Sequence, residues 1–242
     1  DLLRLAHPKA PSAQHDAVFR WMLAGADSLG EREVKRKVRG EDRVAKYAAV
    51  DALLPRLIEA FEQAKRASSK DEIVRLITEF DLPREAIPTQ WLSEVALWDA
   101  LLQRMPMTAM VRNLGKMTAI GLLKPFSDAM NLVLRKLKDE TGLKRSRIHP
   151  LAVLVAQKIY AQGHGEKGAL KWSPVAAIVD ALDAAFYATF SNVEPCNKPV
   201  LLALDVSGSM AGSRIAGSSI SAREASAAMA LVTAATEPEH EI

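Results

Sequence analysis

The sequence has 242 residues, of which 49% are hydrophobic, 25% charged and 5% aromatic, with a formal net charge of +3. Those figures place it in the globular range, with one domain or, better, two, and the lone cysteine, Cys196, excludes an intramolecular disulfide and a Cys-based zinc site. Apolar runs such as 151–156 fall far short of the ~20 residues that a membrane span requires, and no signal-peptide pattern opens the chain, so a soluble cytoplasmic protein is expected.

Scarce aromatics with abundant Ala and Leu favour packed helices over a β-sandwich, and a mostly α fold is expected. From 14 to 190 the pattern is a succession of helical segments with apolar residues three or four apart, broken by Pro, Gly or Ser. Leu53, Leu57, Ile58 and Phe61 form one stripe, and Ile73, Leu76, Ile77 and Phe80 form the next. Ser69 followed by Asp71 and Glu72 marks a helix start, with acids in the first turn where the macrodipole favours them. Further helices are expected over 91–103, 108–116, 127–140, 149–162 and 174–190. Short helices in series cannot bury their faces alone, which predicts stacked helical hairpins as in α-solenoids, although no repeat of fixed period shows in the sequence.

The charge is unevenly placed. Between Arg104 and Lys171 there are 13 Lys or Arg against four acids, Asp128, Asp139, Glu140 and Glu166. Arg112 and Lys116 are one helical turn apart with Asn113 beside them, and Lys144, Arg145 and Arg147 lead into His149 and Pro150. Such clustering is what phosphate contacts require, and it is equally the pattern of a solvated helix face. Phe126, Tyr160 and Trp172 are the aromatics in or beside this region, and they are read as core residues rather than stacking platforms. His149 suits a helix cap or a contact to phosphate, and the Gly-rich turn around His164 is read as a loop.

Helical patterning stops at 191–199, SNVEPCNKP, a linker by composition. Beyond it, 200–204 is an apolar run of the length of a buried parallel strand, followed by a Gly- and Ser-rich loop and an Ala-rich helix over 222–236, the opening of an α/β unit. Asp205, Ser207 and Ser209 alternate in the loop at the strand's carboxyl end, where open α/β sheets place ligands. One carboxylate and two hydroxyls are hard oxygen donors that suit Mg²⁺, and the bare pattern also fits a polar turn. The chain opens without Met and stops as a further apolar stretch begins, so it is read as part of a longer protein.

The segments MPMTAMVRNLGKMT (105–118), RIHP (147–150), GHG and LKW (163–165 and 170–172) and ALDAAFYATF with VEP (181–195) resemble the Ro autoantigen family and its bacterial orthologues. DLLRLAHPKAP (1–11) is similar to a segment of the same family, and the matches run in family order across most of the chain. The resemblance implies a HEAT-like helical ring module, called TROVE, over 1–192, and the beginning of a von Willebrand A domain over 199–242. It implies binding of Y-like noncoding RNA and of single-stranded ends of misfolded RNA in RNA quality control. An exoribonuclease would be tethered through the RNA. RNA contact would fall on Arg112, Lys116, Lys144, Arg145, Arg147 and His149, and a divalent cation, Mg²⁺, on Asp205, Ser207 and Ser209 together with a Thr and an Asp from later loops. The other class of function considered is a protein-interaction module whose metal site grips a partner's acid. An enzyme is not expected, because no paired carboxylates, no nucleophile with a base and no complete metal cluster can be assembled from this sequence.

Overall fold

The computed structural model describes residues 6, 8–26, 29–38, 41–47, 54–215 and 219–242. The chain divides into two compact units, Asp1–Leu92 and Ser93–Ile242. Leu53 and most of the opening segment of the family resemblance, residues 1–5 and 7, lie outside the described residues.

In the first unit, helix α1 (Ala13–Ala24) starts where the Ser12 hydroxyl accepts from the His15 amide, and it ends at Gly25, whose φ of 75° leaves the helical region. Helices α2 (Arg56–Arg66) and α3 (Lys70–Phe80) follow and pack together. Ser69 caps α3 and accepts from the Glu72 amide, with Asp71 and Glu72 in the first turn as expected. Ile73, Leu76 and Ile77 are buried, and the Arg56 guanidinium lies 5.1 Å from the centre of the Phe80 ring. On α2 the buried positions are Ala60 and Ala64, while Leu57, which the apolar stripe placed inside, is exposed.

One departure from serial helices lies between α1 and α2. Strands β1 (Arg32–Val38) and β2 (Glu41–Tyr47) form an antiparallel hairpin, registered from Arg32 opposite Tyr47 to Val38 opposite Glu41.

The second unit opens with six helices in series: α4 (Val95–Arg104), α5 (Met107–Ala119), α6 (Asp128–Lys138), α7 (Glu140–Ser146), α8 (Pro150–Gln162) and α9 (Ala176–Ala188). Helix α4 packs on α5, α5 on α8, α8 on α9 and α9 on α6, so successive helical hairpins share one apolar interior. Trp98, Leu102, Met110, Leu114 and Leu137 are among its fully buried side chains, and each aliphatic one contributes roughly 1.5–3 kcal/mol. Lys136 reaches back from α6 to the end of α4, where its ammonium donates to the carbonyls of Leu102 (2.7 Å), Gln103 (3.3 Å) and Met105 (3.4 Å). These are the carbonyls a helix end leaves without partners, and a cation there also suits the macrodipole.

After a short 3₁₀ turn, Thr189–Asn192, an extended segment leads to β3 (Val200–Leu201), α10 (Gly208–Gly212), α11 (Ala222–Thr236) and β4 (His240–Glu241). Strands β3 and β4 are parallel, so this is a strand–helix–strand unit, and α11 begins with a capping box between Ser221 and Glu224. The strand expected over 200–204 is shorter and more open than its composition implied. Only Val200 and Leu201 pair, and Leu201 is 76% exposed, because β4 is the one strand that pairs with it among the described residues. The Glu237 carboxylate, at the end of α11, accepts from the amides of Cys196 (2.7 Å) and Asn197 (3.0 Å) and so ties down the linker. Those two amides, Cys196 first, hold its carboxyl below the usual carboxylate range. Lys158 of α8 is paired with Glu224 of α11, joining the helical layer to the α/β element.

Candidate nucleic-acid interface and metal loop

The face of α5 that carries Arg112 and Lys116 is set by what lies beneath it. Arg112 is exposed and Lys116 half-buried, one turn on. Between them Gly115 meets the indole of Trp172, and a Cβ at that position would lie 2.6 Å from a ring carbon. Trp172 is itself held, since its Nε1 donates to the Tyr160 carbonyl (2.9 Å), its amide to the Gly163 carbonyl (2.9 Å), and its ring stacks on Tyr160. The Tyr160 hydroxyl lies 3.0 Å from Thr118 Oγ1 and accepts from the Val175 amide at 3.2 Å. Tyr160 and Trp172 are thus packing residues, as expected from the sequence. Asn113 turns inward along its own helix and donates to the Ala109 carbonyl at 2.8 Å.

Lys144 and Arg145 occupy the last turn of α7, which packs against α5, and Arg147 follows with φ 52° in the left-handed region. The turn is braced from several sides. The Arg147 amide donates to the Lys144 carbonyl (3.2 Å), Ser146 Oγ donates to the Leu143 carbonyl (2.7 Å), and Ile148 is buried. The Asn192 side-chain amide, from the 3₁₀ turn, donates to the carbonyls of Leu143 (3.2 Å) and Ile148 (2.9 Å). His149 caps α8, its Nδ1 accepting from the Leu151 amide at 3.2 Å with Pro150 in the first helical position. That bond assigns the ring proton to Nε2, so the cap leaves His149 a donor. Lys144, Arg145, Arg147 and His149 are all exposed. Among the described residues, none of Arg112, Lys116, Lys144, Arg145 and Arg147 forms an ion pair.

Three of the region's residues stand elsewhere than composition suggests. Lys136 is committed to the end of α4, and burial lowers its pKa. Lys158 is committed to Glu224. Phe126, expected in the core, is 93% exposed, because its turn directs the ring into solvent. Asn192 was not foreseen at all, since the carbonyls it holds lie 44 and 49 residues away.

In the loop after β3, the Ser207 amide donates to Asp205 Oδ1 at 2.8 Å, and the Ser207 and Ser209 hydroxyls are 2.9 Å apart. The Ser207 backbone bond, then its hydroxyl, then the Arg223 charge keep the Asp205 carboxyl below its ordinary range, so it is ionised at neutral pH. Arg223 donates to the carbonyls of Val206 (3.0 Å) and Ser207 (2.9 Å) and steadies the loop. One carboxylate and two neighbouring hydroxyls, all exposed, fit a hard divalent cation as part of a coordination shell. Among the described residues, no group of three His, Cys, Asp or Glu gathers to hold a metal, and no helix is long and apolar enough to cross a membrane.

Two family models match this chain, the TROVE domain over residues 1–159 and the Ro60 vWA domain over 199–242. A Caenorhabditis elegans protein named RNA-binding protein RO60 is 38% identical over 99% of this chain and 41% of its own length. The protein of the same name from Deinococcus radiodurans is also 38% identical, with the same shares covered. The crystal structure of the Deinococcus radiodurans Ro (RSR) protein superposes with a TM-score of 0.75 over 98% of this chain and 44% of that one, at 38% identity. The chain therefore spans about two-fifths of the length of the curated relatives it matches.

Proposed function

Because this chain belongs to the Ro family, in which a TROVE domain is joined to a von Willebrand A domain, we propose that it is a non-catalytic RNA-binding scaffold acting in cytoplasmic RNA quality control. Its ligands are a Y-like noncoding RNA and single-stranded ends of misfolded RNA, and an exoribonuclease is tethered through the RNA. Carrying this reading is the braced turn that holds Lys144, Arg145, Arg147 and His149 in solvent on a helix packed against the one bearing Arg112 and Lys116, with the five cations unpaired among the described residues. Exposed cations without ion-pair partners on a braced backbone suit phosphates, because each phosphate neutralised releases condensed counterions. The Asp205 loop contributes one carboxylate and two hydroxyls to a Mg²⁺ shell. A protein-interaction module built on that loop leaves the basic middle of the chain without a purpose.

Filter binding to a structured RNA with a single-stranded tail, over a salt series, tests the assignment. Arg112→Ala with Lys116→Ala weakens binding and lowers the salt slope by roughly 0.7–0.9 for each phosphate contact removed. Lys136→Met, which removes an equal kind of charge from a helix end, leaves the slope unchanged. Salt-independent affinity, or a double variant that binds like the parent, refutes this placement.

A further inference from the structure

Phe126 is the most exposed large apolar side chain among the described residues, at 93%. It sits third in the turn 124–127, which closes with the Ser127 amide donating to the Lys124 carbonyl at 3.1 Å. Pro125 takes the second place, and Phe126 has φ 66°. A positive φ in third position after proline defines a type II turn, where Gly or Asn is the ordinary occupant and an aromatic residue is strained. Both ends of the turn are fixed. Ser127 Oγ donates to the Leu122 carbonyl (3.2 Å) and accepts from the Met130 amide (3.2 Å), capping α6, while the Lys124 side chain lies against Gly121.

The sequence thus places a bulky ring where glycine is easiest and directs it into water, and no ring stacking involves it among the described residues. The chain on either side of it is rich in cations. Residues 104–138 contain seven Lys or Arg and one acid, Asp128, and Lys124, Pro125 and Asp128 are exposed. A lone exposed ring is a poor apolar dock for a protein, which needs a continuous patch. It is a good platform for a planar heterocycle, because one face of a base can stack on it while a neighbouring ammonium takes the phosphate.

We propose that the turn 124–127 is a nucleobase-stacking site for single-stranded RNA, with Phe126 as the platform and Lys124 as its phosphate contact. This rests on the RNA-binding reading above and extends it to an unpaired base at a place that reading does not use.

Fluorescence anisotropy with a labelled single-stranded oligonucleotide of about 12 nucleotides, and with a blunt RNA duplex of equal length, tests it on the full chain. Phe126→Gly removes the ring and relaxes the backbone, so its melting temperature equals or exceeds that of the parent. Its affinity for the single strand falls about 5- to 150-fold, the range expected from losing one stacked base, while its affinity for the duplex is unchanged. Phe126→Trp keeps single-strand binding. Equal single-strand affinity of parent and Phe126→Gly overturns the stacking site and leaves the basic face intact. Equal loss on both probes also overturns it, because the ring would then act through the fold or the phosphates. A parent protein that binds neither probe brings down the RNA reading and this site with it.

Discussion

Gly115 is the residue on which the geometry of α5 makes its sharpest demand. An added Cβ would meet three atoms of the Trp172 ring at 2.6–2.7 Å, and a ring anchored by a hydrogen bond and a stacking partner has little room to give. Two effects oppose each other in Gly115→Ala. Replacing glycine inside a helix gains about 1 kcal/mol of propensity, while overpacking a fixed ring costs about 1–3 kcal/mol. In the parent the clash offsets or outweighs the gain. In a Trp172→Leu background the same substitution stabilises by about 1 kcal/mol, because the ring edge is gone. The double-mutant cycle, measured as urea midpoints with unchanged m-values, therefore gives a coupling of about 1–3 kcal/mol. Additivity within about 0.5 kcal/mol refutes the claim that Trp172 is what forbids a side chain at Gly115. A clash relieved by tilting α5 also displaces Arg112 and Lys116, so RNA affinity falls with stability in the single variant.

Two further outcomes follow from the ionised groups. Glu224, held at about 2 by the Lys158 ammonium first and then by the Ser221 amide, lies below its ordinary value of 4.5. A depressed folded-state pKa contributes stability above about pH 4.5, and that stability is lost as pH falls toward 2. The full shift would be worth about 3 kcal/mol, but both side chains are 39–40% exposed and solvent screening reduces it to about 1 kcal/mol. Glu224→Gln preserves the capping box and lowers the urea midpoint at pH 7, and its curve converges with the parent's as pH falls toward 2; parallel curves would disprove the pairing. In the metal loop, Asp205→Ala abolishes the Mg²⁺ heat signal in calorimetry, and a variant that still takes up Mg²⁺ removes Asp205 from the shell.

Helices with caps were legible. Ser69, Ser127 and the His149–Pro150 pair all mark helix starts that the structure contains, because a cap is a local bargain between a side chain and the next turn. The hairpin was not legible. Val34 and Val38 are four apart, a spacing that serves one face of a helix and one face of a strand alike, and the charged residues between them break neither pattern. Helix α7 was missed because it has seven residues and one buried side chain, Leu143, too little for a periodicity. In the basic region the sequence could count cations but not sort them. What separates Lys136 and Lys158 from Arg112 and Arg147 is a partner at least 31 residues away, which only the fold brings near. Phe126 failed for the opposite reason, since hydrophobicity predicts burial and a turn of fixed geometry overrode it.

Asn192 holds the turn bearing Arg147 and is also the last residue of the 3₁₀ segment, directly before the strap that runs to β3. The strap's other anchor is Glu237, at the far end of the helix that follows the Asp205 loop. The segment between the cationic turn and β3 is thus a tether pinned by an amide at one end and a carboxylate at the other. A tug on the tether from the α/β side is felt within one residue of the pin that holds the carbonyls on both sides of Arg147.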